Sequence, residues 1–209
     1  MLSKKHIESI LLVLDKNYPN SYCTLNFKNN FELIVAARLS AQCTDKLVNK
    51  ITPKLFKNLP DARSMALAKI EEIEDLIHMC GIYKNKSKHL KAMSEMIIKD
   101  YDGKIPNEIE DLIKLPGIGR KTANLVMAEV FKIPSIIVDT HVSRVTKRIG
   151  FHNLNNTYKI EVILRDSLPC DIWTNFCHRI VEHGRKICKA RNFKCENCCL
   201  EKCCNKNIY

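Results

Sequence analysis

No stretch of this 209-residue sequence approaches the ~18 consecutive apolar residues needed to cross a bilayer. Its start, Met1-Leu2-Ser3-Lys4-Lys5-His6, lacks the long apolar core of a secretory leader. Both absences point to a chain that stays inside the cell. No segment is low in complexity. No repeat with a period of roughly 20–50 residues occurs, which excludes solenoid architectures. Acidic residues are in short supply: 34 Lys and Arg against 23 Asp and Glu leave a net charge of +11. That excess favours a polyanionic partner, nucleic acid ahead of an anionic membrane. Hydrophobic residues make up 45% of the chain, as in a globular protein, and the length suits one or two domains with a real core.

Cysteine is where the composition departs from the ordinary. Of eleven cysteines, Cys23, Cys43, Cys80, Cys170 and Cys177 are scattered, whereas Cys188, Cys195, Cys198, Cys199, Cys203 and Cys204 crowd together near the end. A secreted disulfide domain would spread its cysteines through a short chain. This distribution suits a metal site appended to an otherwise ordinary protein. The spacing Cys188-x6-Cys195-x2-Cys198-x5-Cys204 supplies four thiolates, a set used for zinc or for iron–sulfur clusters. Zinc ribbons pair two tight Cys-x2-Cys knuckles, and only one is clean here. The wide spacing favours the larger object, a 4Fe-4S cluster. Cys199 and Cys203 leave the ligand set open by spacing alone. Arg185, Lys186, Lys189, Arg191, Lys194 and Lys202 surround the loop and suit a phosphate backbone.

Hydrophobic spacings of three and four recur along the chain and predict an all-α fold. Helices are expected over 4–17, over 30–42, and from Thr44 and Asp45 through Pro53. Asp61 caps a short helix reaching Ala68, and 70–80 forms another that stops at Gly81. A helix follows Ser87, and Pro106-Asn107 opens the next. Residues 121–131, 140–149, 157–168 and 173–188 complete the set. The apolar run 133–138 reads as a buried linker, because no second strand is in view for it to pair with. Short loops make successive helices neighbours.

Two strings carry chemistry. In Leu115-Pro116-Gly117-Ile118-Gly119-Arg120-Lys121, proline stops a helix and the glycines permit a tight turn. Arg120 and Lys121 then open a helix, whose first N–H groups and dipole favour an anion. In Val138-Asp139-Thr140-His141, Asp139 stands where an N-cap belongs, and capping fixes the direction of its carboxylate. A carboxylate so held can act as a general base or stabilise positive charge. His141 alone reads as a packed polar residue as readily as a site residue.

Together these residues resemble the endonuclease III family, the base-excision DNA glycosylases of the helix–hairpin–helix superfamily. Residues 115–123 resemble the family hairpin, 138–141 its aspartate segment, and Cys188, Cys195, Cys198 and Cys204 its 4Fe-4S ligands. Leu39-Ser40-Ala41-Gln42-x-Thr44-Asp45 resembles a further family stretch near the lesion pocket. The likeness runs through essentially the whole chain.

The resemblance implies a bifunctional enzyme that acts as a monomer in the cytoplasm, on the nucleoid, away from membranes. It would remove oxidised pyrimidines from double-stranded DNA and nick the abasic site. Lys121 is implied as the nucleophile that attacks C1′ and forms a Schiff base; it must act as the neutral amine, since an ammonium has no lone pair. Asp139 is implied as the carboxylate that assists. Gly117, Ile118, Gly119 and Arg120 would hold the DNA backbone, Gln42 and Ile82 would enter the duplex, and His141 would line the lesion pocket. The family architecture implies one helical domain over 23–132 and a second formed by 1–22 with 133–209, with DNA in the cleft between them. A mismatch-specific relative is the nearest alternative, but such enzymes generally lack the lysine. A non-catalytic DNA-binding hairpin protein needs neither Lys121 nor Asp139. A zinc-ribbon RNA-binding factor fits the charge but not that pair.

Overall fold

The computed structural model describes residues 2–206. Among them the regular structure is helical throughout, with no strand, as the periodicity predicts. The chain forms two compact units, Thr24–Ile133 and Met1–Cys23 with Pro134–Tyr209.

In the unit Thr24–Ile133, α2 (Asn30–Leu39) is the central element. Every residue from Phe31 to Leu39 is buried, including Glu32 and Arg38. A helix that is apolar on nearly all sides has no solvent face and must be surrounded. Its neighbours are α3 (Asp45–Asn58), α6 (Tyr83–Tyr101) and α8 (Arg120–Glu129). α4 (Ala62–Leu67) and α5 (Ile70–Ile77) pack on α6, and α7 (Ile109–Leu112) packs on α8. Caps set several boundaries. Thr44 accepts from Leu47 N at 3.3 Å, and Asp61 and Ser64 form a reciprocal capping box.

Local departures from the sequence expectation have physical reasons. The helix expected after Ser87 begins earlier, at Tyr83. The Ser87 hydroxyl donates to Lys84 O at 2.9 Å inside that helix, so it is spent on its own backbone and caps nothing. The helix expected from Pro106-Asn107 is only four residues long. The helix expected over 70–80 ends at Ile77, with Cys80 N donating back to Ile77 O at 2.8 Å in a tight turn.

The other unit contains α1 (Lys4–Asn17), α9 (Thr140–Ile149), α10 (Thr157–Ser167) and α11 (Trp173–Lys186). α11 packs on α1 and α9, and Phe176 meets Phe151 edge-on at 5.7 Å. Residues 134–138 form no regular element and lie along α11. Ser135 N donates to Thr174 Oγ1 at 3.2 Å and Ile137 N to Cys177 Sγ at 3.3 Å. Side chains of a helix thus take backbone donors that a neighbouring strand would otherwise accept. No helix among the described residues is long and apolar enough to cross a membrane.

Candidate functional site

The glycine hairpin joins α7 to α8. Leu115 and Ile118 are buried and anchor the turn, and Ile118 N donates to Leu115 O at 3.0 Å. Ile118 therefore gives its side chain to the core and its N–H to the turn. Gly117 lies at φ +78°, a region that side chains with a Cβ avoid. A Cβ there would overlap Arg38 Nε and stand 2.9 Å from both Arg38 Cδ and His89 Cγ. The turn rests directly on a polar pair. Arg38 Nη2 donates to His89 Nδ1 at 2.6 Å, which requires that imidazole nitrogen to be unprotonated. Burial, with the Arg38 charge adding to it, holds the His89 pKa below its ordinary value. Sequence reasoning missed Arg38 and His89 because neither belongs to the hairpin string.

Gly119 is the N-cap of α8 and has no side chain of its own to close that end. The first-turn N–H groups of a helix have no partner within it. Lys121 is exposed on this same first turn. The arrangement is an anion-attracting helix start with an amine beside it.

Gln42 and Ile82 stand on two adjoining turns: a Cβ on Gly81 would lie 3.4 Å from Gln42 O. Both are in the left-handed region, at φ 53°. For a β-branched residue that conformation is a genuine outlier, and Ile82 is 51% exposed. An apolar side chain held outward on a strained backbone is not core packing.

In the other unit, α9 carries a carboxylate at its start. Asp139 Oδ1 accepts from Val142 N at 2.7 Å, the N-cap bond expected from the sequence. His141 is half-buried on the first turn, with Nδ1 3.1 Å from Arg144 Nη2. Burial lowers its pKa and Arg144 adds to that, while Asp139 opposes it. Gly184 of α11 makes this approach possible, because a Cβ would come within 3.1 Å of His141 Nδ1 and Val145 Cγ2.

One turn of α9 further on, two arginines four residues apart hold the cysteine loop. Arg144 donates to Cys188 O through Nε at 3.2 Å and Nη2 at 3.1 Å. Arg148 Nη1 donates to Lys189 O at 2.7 Å and to Cys188 Sγ at 3.4 Å, and its guanidinium lies 4.6 Å from the Phe193 ring centroid. Cys188, Cys195, Cys198 and Cys204 line one recess together with Ile149 and Leu200. Cys199 and Cys203 are not among the residues lining it. Lys206 N donates to Cys204 Sγ at 3.4 Å, and the buried His183 has Nε2 3.6 Å from Cys198 Sγ and Nδ1 2.8 Å from Tyr18 Oη. Donors aimed at sulfur favour the thiolate form that binds metal. Among the described residues no three His, Cys, Asp or Glu side chains are grouped closely enough to hold a single ion.

A helical fold with a glycine hairpin, an aspartate-capped helix and a four-thiol loop defines a class, and comparison with known proteins gives that class a name. The description "HhH-GPD superfamily base excision DNA repair protein" matches residues 35–183. Endonuclease III of Synechocystis sp. is 43% identical over 206 residues, covering 98% of this chain and 94% of its own. Two solved structures each superpose with a TM-score of 0.95 at 40% identity, covering 99% of this chain and 97% of theirs. One is a non-covalent endonuclease III–DNA complex, the other a trapped endonuclease III–DNA covalent intermediate. The chain belongs to the endonuclease III family.

Gly117→Ala tests the hairpin geometry. A non-glycine residue in the left-handed region costs roughly 1–2 kcal/mol before any clash is counted. Denaturant unfolding should show at least that loss, together with weaker binding to duplex DNA. Unchanged stability and binding would mean the turn accommodates a side chain.

Proposed function

We propose that this protein excises oxidised pyrimidines from double-stranded DNA and cleaves the strand at the resulting abasic site. The observation that carries the reading is the exposed Lys121 on the first turn of α8, just after the glycine N-cap, in a chain superposing closely on a trapped endonuclease III–DNA covalent intermediate.

The chemistry follows from the groups. The backbone of the hairpin and the start of α8 bind a phosphate, contacts that position the duplex without reading its sequence. Flipping a base out costs a few kcal/mol, less for a damaged one. Gln42 and Ile82, held outward on strained turns, fill the gap in the stack. The neutral amine of Lys121 attacks C1′ while the bond from C1′ to the base breaks, and the base leaves with its electron pair. Asp139 stabilises the positive charge that develops on the sugar, its carboxylate oriented by the cap bond to Val142 N. The lysine–sugar adduct opens to a Schiff base. Loss of a C2′ proton then expels the 3′ phosphate oxygen, and hydrolysis frees Lys121. His141 stands on the same turn of α9 as Asp139 and is assigned to the pocket for the everted base.

Cys188, Cys195, Cys198 and Cys204 are assigned as the ligands of a 4Fe-4S cluster. Four thiols lining one recess, three of them with nitrogen neighbours, make the donor set of a tetrathiolate cluster. The cluster supplies no step of this reaction; bound there, it would fix the fold of the basic loop over 188–204. Replacing any of the four by serine should lower bound iron, whereas Cys199→Ser and Cys203→Ser should leave it at the wild-type level. Iron lost in either of the last two would revise the ligand set.

The functional test uses a duplex bearing one thymine glycol. Wild type should release the base and nick the strand. Lys121→Ala should abolish nicking. Asp139→Asn keeps the helix cap, because asparagine caps as well as aspartate, but loses the charge. Its turnover should fall about 10²–10³-fold with stability unchanged. Activity retained in both variants would refute the assignment.

A further inference from the structure

Two cysteines outside the thiol loop lie close together. Cys43 stands in the turn between α2 and α3, and Cys80 in the turn between α5 and α6. Their sulfurs are 3.7 Å apart. Cys80 is 1% exposed and Cys43 is half-buried. Thiols already in contact across 37 residues need little backbone movement to join.

Their surroundings are charged. Lys86, in the first turns of α6, is fully buried, and its ammonium has no hydrogen-bond partner among the described residues. The groups acting on it electrostatically are Cys80, Cys43 and Arg38. Burial lowers the Lys86 pKa, and negative charge on either neighbouring sulfur would oppose that. Burial and the contact with Cys43 push the Cys80 thiol up to about 12, against the pull of Lys86. Cys80 therefore stays a thiol, and Cys43, open to solvent on one side, meets an oxidant first.

We propose that Cys43 and Cys80 form an oxidative modification site, converted by hydrogen peroxide into one intramolecular disulfide. The Cys43 thiolate attacks one peroxide oxygen, the O–O bond breaks, and Cys43 becomes a sulfenic acid. The departing hydroxide takes the proton that Cys43 released and becomes water. The Cys80 sulfur then displaces the sulfenic hydroxyl, forming the S–S bond. That hydroxyl leaves with the Cys80 proton as a second water. Two thiols lose two electrons and two protons in all, and one peroxide becomes two waters.

The bond would fasten together the two turns that carry Gln42 and Ile82. Gln42 immediately precedes Cys43, and Ile82 follows Cys80 by two residues. Oxidation would hinder both from moving into a duplex. This consequence, unlike the disulfide itself, rests on the reading of those residues as elements that enter DNA.

The test treats reduced, cluster-loaded protein with a few equivalents of hydrogen peroxide, blocks remaining thiols, and maps peptides by mass spectrometry without reduction. The expected product is a peptide pair joined through Cys43 and Cys80, two hydrogens lighter than the separate peptides. It should be absent in Cys43→Ser and Cys80→Ser and reversed by dithiothreitol. Recovery of both cysteines individually alkylated, or joined elsewhere, would overturn the proposal. On a thymine glycol duplex, oxidised wild type should work at least threefold more slowly than reduced. Dithiothreitol should restore the rate, and Cys43→Ser treated alike should not slow. A disulfide that forms without changing the rate would overturn the coupling to the turns. Because peptide mapping needs no activity, an inactive protein would refute the functional reading separately.

Discussion

The closeness of Gly117 to the Arg38–His89 pair sets much of the geometry at the hairpin. With no side chain at 117, the turn lies directly on a guanidinium and an imidazole that are hydrogen-bonded to each other. The contact fixes where the chain reverses, and so where α8 begins. Arg38 is itself held within the most buried helix of its unit. The exposed amine of Lys121 is thereby tied, through one turn, to rigid core. Leu115 and Ile118 close the arrangement from the apolar side.

Helix α9 has a comparable position in its own unit. Its first residue follows Asp139, whose carboxylate is spent partly on the cap and thereby given a direction. Its middle presents Arg144 and Arg148, which take up carbonyls of the cysteine loop at Cys188, Lys189 and Ala190. One short helix therefore aims a carboxylate and supports the chain around four thiols. Gly184 lets α11 come close enough to carry it. A basic loop held in this way suits a polyanion, in keeping with the charge of the whole chain.

Much of this was legible in the sequence wherever a local rule governs. The helix over 140–149, its aspartate cap and the helical class follow from periodicity and capping, and the structure has them. The glycine hairpin was legible because proline and glycine act on their own backbone. What escaped was tertiary. Arg38 and His89 lie 51 residues apart and meet only because α2 and α6 pack. Arg144 and Arg148 read as an ordinary basic face until the loop they hold is in view. Ser87 misled because a serine mid-helix and a serine cap look the same without coordinates. The left-handed backbone of Ile82 had no signal, since β-branched residues avoid that region and no local pattern asks for it.

The central claim is that the amine of Lys121 attacks the sugar, and covalent trapping tests it most directly. Protein is mixed with a duplex carrying an abasic site, sodium borohydride is added, and the adduct is digested and mapped by mass spectrometry. The account predicts a stable protein–DNA adduct whose modified residue is Lys121. An adduct at another residue, or an active protein that yields none, would contradict it.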